Sequence, residues 1–431
     1  MLTTFARAFR TPDLRKKLLF TLFVIVLFRV GQNLPTPNVD VAVLRETADA
    51  ARRNDPAYAL ADLFSGGALL KLSVFALGVF PYVTASIVLQ LLTVVIPRLE
   101  ALKKEGQAGT AKITQYTRYL TVALAALQSA GVVAMAATGQ LFRNVPGGGR
   151  VLHDNGPLPV VTMVVCLVAG TAAVMWLGEL ITDRGVGNGM SILIFTQVVA
   201  VFPAQFWAIQ QLKGTFVLVL AVLVGLAIMV GVVFVEQAQR RVPVQYAKRM
   251  VGRRMYGGTS TYIPLKVNQA GIIPVIFASS LLYLPMLATQ LWPGAGWLNA
   301  VRPHLRPDDP WHMATFFVLI VAFTYFYVAI TFNPAEVADN MKKYGGFVPG
   351  IRPGRPTAEY LDHVLSRITA PGSLYLGVVA LIPLMALALL GVGDEFPFGG
   401  TSILIVVGVG LDTVKQIEAR LQQRNYEGFL R

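Results

Sequence analysis

The residues that could do chemistry in this chain are few. Gly391-Val392-Gly393-Asp394 has the GxGD spacing of intramembrane aspartyl proteases, but that reaction needs a second membrane-embedded carboxylate to share a proton. Asp394 falls at the outer end of an apolar run and no Tyr-Asp partner motif exists. Gly185, Gly187 and Gly189 have the glycine density of a phosphate cradle, yet no strand precedes them and the spacing is wrong for a dinucleotide loop. A Gly-x4-Gly-Lys-Ser/Thr loop is absent. Cys166 is the single cysteine, so neither a disulfide framework nor a thiolate cluster can form. His153, His304, His312 and His363 lie in or beside loops without metal-ligand spacing. Glu179, Asp183 and Glu236 sit near the inner ends of apolar runs, whereas an ion-coupled transporter needs such a group near the midplane. The expectation is a chain that is no enzyme and uses no cofactor or metal, and whose work is to provide a path.

What must position such a path is legible in the composition. Of 431 residues, 55% are hydrophobic and 14% charged, far from a soluble average. A spanning helix needs about 20 mostly apolar residues, and ten such runs appear: 18–34, 73–96, 117–138, 158–181, 188–211, 215–235, 268–290, 312–332, 371–391 and 400–417. They are too long and too evenly apolar for barrel strands. The first run carries Arg29 and no small-residue cleavage site follows it, so it is expected to stay. With the N-terminus inside, 27 of the 37 Lys and Arg fall on the inner side and eight on the outer. Because positive loops are retained on the cytoplasmic side, this predicts N-in and C-in. Two inner loops, 236–267 and 333–370, exceed what a hairpin needs and cluster Arg, whose fork grips phosphate or carboxylate.

Several runs are interrupted. Residues 61–72 are half-apolar and too short to span, and Gly78-Val79-Phe80-Pro81, Gly185 to Gly189 and Gly271-Ile272-Ile273-Pro274 weaken helix starts. Lipid cannot satisfy free backbone groups, so a broken helix at that depth lies against protein or a wet cavity. Five runs precede the large basic loop and five follow it, which fits two inverted halves around a pathway. The divisions expected are a cytoplasmic N-terminus 1–17, halves 18–211 and 212–417, and a cytoplasmic tail 418–431.

Specific stretches carry more. FSGGALLKLSVFALGVFPYVTASIVLQLLT (64–93), KKEGQAGTAKITQYTRYLT (103–121), WLGELITDRGVGNGMSILIF (176–195), FVEQAQRRVPVQYAKRMVGRR (234–254), PLKVNQAGIIPVIFASS (264–280), FNPAEVADNMKKYGGFVPGIRPG (332–354) and FGGTSILIVVGVGLD (398–412) resemble, in order, the SecY family of bacterial protein-export channels. The resemblance implies an all-α membrane protein of ten helices in two inverted five-helix halves around a central pore, with a short plug helix and a lateral gate between the second and seventh runs.

Carried over by position, the pore ring is Val79, Val83, Met190, Ile194, Ile276 and Ile405. The plug is Asp62, Leu63, Phe64, Ser65, Gly66, Gly67, Ala68, Leu69 and Leu70. Apolar residues at i and i+4 share a helix face, and a narrow aliphatic ring dewets against ions yet deforms around a polypeptide. Val and Met occupy three positions where family rings are often rich in Ile. Ser86, Gln90, Thr93, Asn268 and Ser279 are expected to meet across the gate, contributing about 0.6–2 kcal/mol each. Arg253, Arg254 and Arg352 are the expected docking residues. The family implies partner subunits SecE and SecG, the motor ATPase SecA, the ribosome, signal sequences and unfolded preproteins, and lipid, at the bacterial cytoplasmic membrane. A secondary transporter with inverted repeats is the rival reading.

Overall fold

The computed structural model describes residues 9, 11–44, 66–139, 151–246, 249–251, 254–256, 260–291, 309–390 and 400–428. Every one of the ten apolar runs falls on a helix: α1 (Pro12–Asn33), α2 (Phe80–Val95), α4 (Gln107–Ala137), α5 (Pro157–Arg184), α6 (Gly189–Gln211), α7 (Gly214–Gln237), α8 (Ile273–Leu291), α9 (Pro310–Thr331), α11 (Arg355–Leu390) and α12 (Gly400–Gly428). Short helices also lie between them, among them α3 (Pro97–Lys104) and α10 (Pro334–Lys343). Among the described residues, six helical stretches are long and apolar enough to cross a membrane alone, and α2 with α3, bent by 100° at their junction, make a seventh when taken as one span. In α1 and α12 the apolar stretch is shortened by a charged end.

Helix starts follow local chemistry. Pro stands in the first turn of α1, α2, α3, α5, α9 and α10, where its fixed φ suits a helix and its missing N–H costs nothing. Asn188 caps α6 by accepting from the Met190 and Ser191 amides, and Asn333 caps α10 in the same way. Gly214, at φ 83 and ψ 171, breaks what would otherwise be one long helix into α6 and α7 and joins the two halves. Large apolar side chains point outward along the spans, among them Leu19, Phe23 and Val30 on α1 and Phe216 and Phe234 on α7. Such a surface suits lipid, where exposing these groups carries no penalty.

The loops 236–267 and 333–370 add strands to the helical fold. Gln239–Tyr246 (β1) pairs antiparallel with Ser260–Lys266 (β4), and β1 also pairs with the two-residue strand Gly346–Phe347 (β5). A separate hairpin joins Arg249–Val251 (β2) to Arg254–Tyr256 (β3). The signal was alternation: Val242 and Val244 are buried and their neighbours in β1 face outward. The apolar face of β1 packs with Leu265, Met341, Val348, Leu361 and Val364. The loops 236–267 and 333–370 therefore make one body rather than two. Within it α11 begins at Arg355, well before the apolar run at 371, because its first turns are amphipathic and place Leu361 and Val364 in this core.

Candidate functional site

Four helices bring an aliphatic constriction together. Val79 caps α2 and Val83 lies in its first turn, Ile194 is on α6, Ile276 in the first turn of α8, and Ile405 near the start of α12. These five side chains, with Phe80 and Gln197, line one partly open cavity. Its walls come from both halves of the chain, since α2 and α6 belong to the first and α8 and α12 to the second. Met190 stands apart. Its sulfur packs against Gly178 of α5, where a β-carbon would collide with it, so this side chain fills the α5–α6 interface and does not line the cavity. Met190 sits one turn from Ile194 on α6, and the family spacing did not reveal which way it turns.

Beside the cavity runs an irregular segment. Of the expected plug, residues 62–65 lie outside the described residues, and 66–70 form turns rather than helix, with Gly66 and Gly67 at φ 66 and 85. The segment continues to α2 without regular structure and is held by its backbone. Val74 N–H donates to the Leu34 carbonyl at 2.8 Å, and Thr36 N–H and hydroxyl both donate to the Leu72 carbonyl, at 3.0 and 2.8 Å. Leu69, Leu70, Leu72, Ala76 and Leu77 pack with Val132, Val133, Met163 and Leu167 of α4 and α5. Phe75 stacks on Phe28 of α1, centroids 6.0 Å apart.

Among the described residues, no side-chain hydrogen bond joins the polar residues expected on the two sides of the gate. α2 and α8 are in contact, but Ser279 Oγ donates to the Ile276 carbonyl at 2.9 Å, Thr93 Oγ1 to the Gln90 carbonyl at 2.7 Å, and Gln90 Nε2 to Ser86 Oγ at 3.4 Å. A hydroxyl in an apolar setting finds its own helix's carbonyl three or four residues back without ordering a second helix. Asn268 turns elsewhere: its Nδ2 donates to Glu236 Oε1 at the end of α7 and to the Gly271 carbonyl. It anchors the entrance to α8 rather than closing the gate.

Of the basic residues, Arg253 lies outside the described residues, Arg254 opens β3, and Arg352 is exposed in the loop after β5. Arg240 and Arg241 are exposed on β1, and the Arg241 guanidinium lies 4.7 Å from the centre of the Tyr262 ring on β4, an arrangement that keeps the charge outward while its stem packs. No cluster of three or more metal-binding side chains occurs among the described residues.

The SecY family model matches residues 73–414. The chain belongs to the SecY family. Its relatives include the protein translocase subunit SecY of Streptomyces galbus, 65% identical with both chains fully covered, and that of Mycobacterium tuberculosis, 57% identical with the same coverage. Among solved structures, a protein-conducting channel superposes with a TM-score of 0.64 over 94% of this chain and 91% of its own at 16% identity. The canine Sec61 of a ribosome–channel complex gives 0.59 over the same shares. At that identity the likeness is one of fold. Two residues of the cavity lining were missed in the sequence: Phe80, hidden as one apolar residue among many, and Gln197, one turn beyond Ile194.

Proposed function

We propose that this chain is the pore-forming subunit through which unfolded secretory polypeptides cross the membrane and from which hydrophobic segments pass sideways into lipid. The observation that carries this reading is the cavity walled by Val79, Val83, Ile194, Ile276 and Ile405 from both halves, beside the 66–78 segment. A constriction walled mostly by flexible aliphatic side chains, with the single amide of Gln197, offers water few hydrogen bonds and so resists ions, and it offers a passing chain no strong binding point. The segment from Gly66 acts as the plug, and the α2–α8 contact, which carries no side-chain hydrogen bond among the described residues, is the seam that opens laterally. An apolar signal sequence then competes with packing alone. The secondary-transporter reading has nothing to support it at the cavity, where no carboxylate or imidazole lies among the described lining residues.

The body built from β1, β4, β5, α10 and the start of α11, together with the β2–β3 hairpin that the chain carries between β1 and β4, is the cytoplasmic docking platform, with Arg254 and Arg352 and the neighbouring Arg253 as its contacts. The family and the ribosome complexes of its structural neighbours support a ribosome and the SecA motor as partners, with SecE and SecG as companion subunits in the bacterial cytoplasmic membrane. Reversing charge at an exposed docking site replaces attraction with repulsion. Arg352→Glu, and Arg253→Glu with Arg254→Glu, are expected to weaken SecA and ribosome binding about tenfold or more while leaving channel assembly intact. Affinities within about twofold of wild type for both partners contradict the assignment. The orientation, N-in and C-in, is tested with an impermeant thiol reagent on intact cells. Cysteines placed at 254 and 352 are expected to stay unlabelled, and reaction at either overturns it.

A further inference from the structure

The turns between Gly66 and Gly78 sit in a polar setting as well as an apolar one. Arg29 on α1 donates through Nη1 to the Gly66 carbonyl at 3.4 Å and to Gln32 Oε1, and Gln32 is itself buried. Across from α1, the Gln197 side chain on α6 is 2% exposed and its Nε2 has no hydrogen-bond partner among the described residues. Gln197 touches the segment twice. A β-carbon on Gly66 would lie 3.2 Å from the Gln197 Cα and 3.0 Å from Gln32 Nε2, and one on Gly78 would collide with Gln197 Nε2. Both glycines hold positive φ, 66 and 54, so the backbone at each contact takes a shape that other residues resist. The same Gln197 faces the constriction, with Val79, Ile194, Ile276 and Ile405. It therefore links the seat of the segment to the wall of the pore.

We propose that Arg29, Gln32 and Gln197 form a clasp that holds the 66–78 segment by its glycines, so that these side chains, and not apolar packing alone, set how readily the segment leaves the constriction. Arg29 and Gln32 grip the start of the segment from α1, while on α6 the Gln197 Cα and Cβ lie under Gly66 and its amide under Gly78. Any movement of Ile194 that widens the constriction carries Gln197 with it, since the two lie three residues apart on one helix. Opening the waist and loosening the seat thus become one event.

The clasp rests on the channel reading, and a size exchange at its contact point tests it separately. The assembled complex carrying Gly78→Ala, Gln197→Ala or both is reconstituted in planar bilayers, and resting ion conductance is compared with export of a precursor whose signal sequence is defective. Gly78→Ala drives a methyl into the Gln197 amide and is expected to raise leak about tenfold. Gln197→Ala alone, which removes one arm of the clasp, is expected to leak several-fold above wild type, and the double variant is expected to leak less than the product of the two single effects, a coupling that independent sites do not show. Gln197→Ala as tight as wild type, or a double variant whose leak equals that product, overturns the clasp. Where Gly78→Ala does not assemble, Arg29 decides. Arg29→Met is expected to leak several-fold more than Arg29→Lys, which keeps a donor, and Arg29→Met as tight as wild type overturns the proposal. Ile276→Asn in the same bilayers separates the two readings: leak there with none in the clasp variants removes the clasp and leaves the pore standing.

Discussion

Ile276→Asn and Ile405→Asn should each make the closed channel conduct ions, and should allow export of precursors with defective signal sequences. Both residues line the cavity, and Ile405 is almost fully buried against it. An amide at either site adds donors and acceptors to a wall that is otherwise almost wholly aliphatic, which lowers the dehydration barrier for water and ions. The substitution also removes aliphatic contacts that favour the closed arrangement, and a differential of about 1.4 kcal/mol moves a closed-to-open ratio tenfold. The two effects act in the same direction, so resting conductance should rise at least about tenfold. Ile320 on α9 is equally buried but packs among α8, α11 and α12 side chains away from the cavity. Ile320→Asn should cost stability and yield without raising the leak per assembled channel.

Asn268→Leu should damage the fold more than the gate. Asn268 is 3% exposed and its Nδ2 serves both the Glu236 carboxyl and the Gly271 carbonyl. Leucine of similar size leaves a buried acceptor at Glu236 without its donor, a loss of about 1–3 kcal/mol and more where the group carries charge. The complex purified in detergent should unfold at a lower temperature. Ser86→Ala and Ser279→Ala, which remove only bonds within one helix, should change that midpoint little and leave conductance near wild type. Asn268→Leu that keeps wild-type thermal stability but leaks would return this residue to the gate.

How much could be read before the fold was seen depended on the length scale of each signal. Ten spans were legible because a water-soluble fold has little use for twenty apolar residues in a row, and the breaks at Gly185–Gly189 and before Ile273 were legible because Gly and Pro act locally. The sheet formed by the two basic loops was missed because Val242 and Val244 give only two beats of alternation, surrounded by arginines whose charge is the stronger signal. The side-chain directions within the constriction were the least legible. Val79, Val83, Ile194, Ile276 and Ile405 reach the cavity, but Met190 has a long flexible side chain and a glycine opposite to receive it, so it fills the Gly178 gap instead. The expected hydrogen bonds across the gate failed for an energetic reason: a serine or threonine satisfied by its own helix gains little from a second partner. Gln197 was overlooked because a single polar residue in an apolar helix gives no pattern, and its importance lies in what packs against it.

The central claim is that a polypeptide passes between these five aliphatic side chains. It is tested by placing a photo-crosslinking amino acid at 79, 83, 194, 276 or 405, one at a time, and at 320 and the outward-facing position 318, then arresting a secretory precursor halfway through the assembled channel. The account predicts adducts to the precursor from the five cavity positions, and none from 318 or 320. Adducts from 318 or 320 equal to those from the cavity positions, or none from 276 and 405 while the arrested chain is present, would place the path elsewhere.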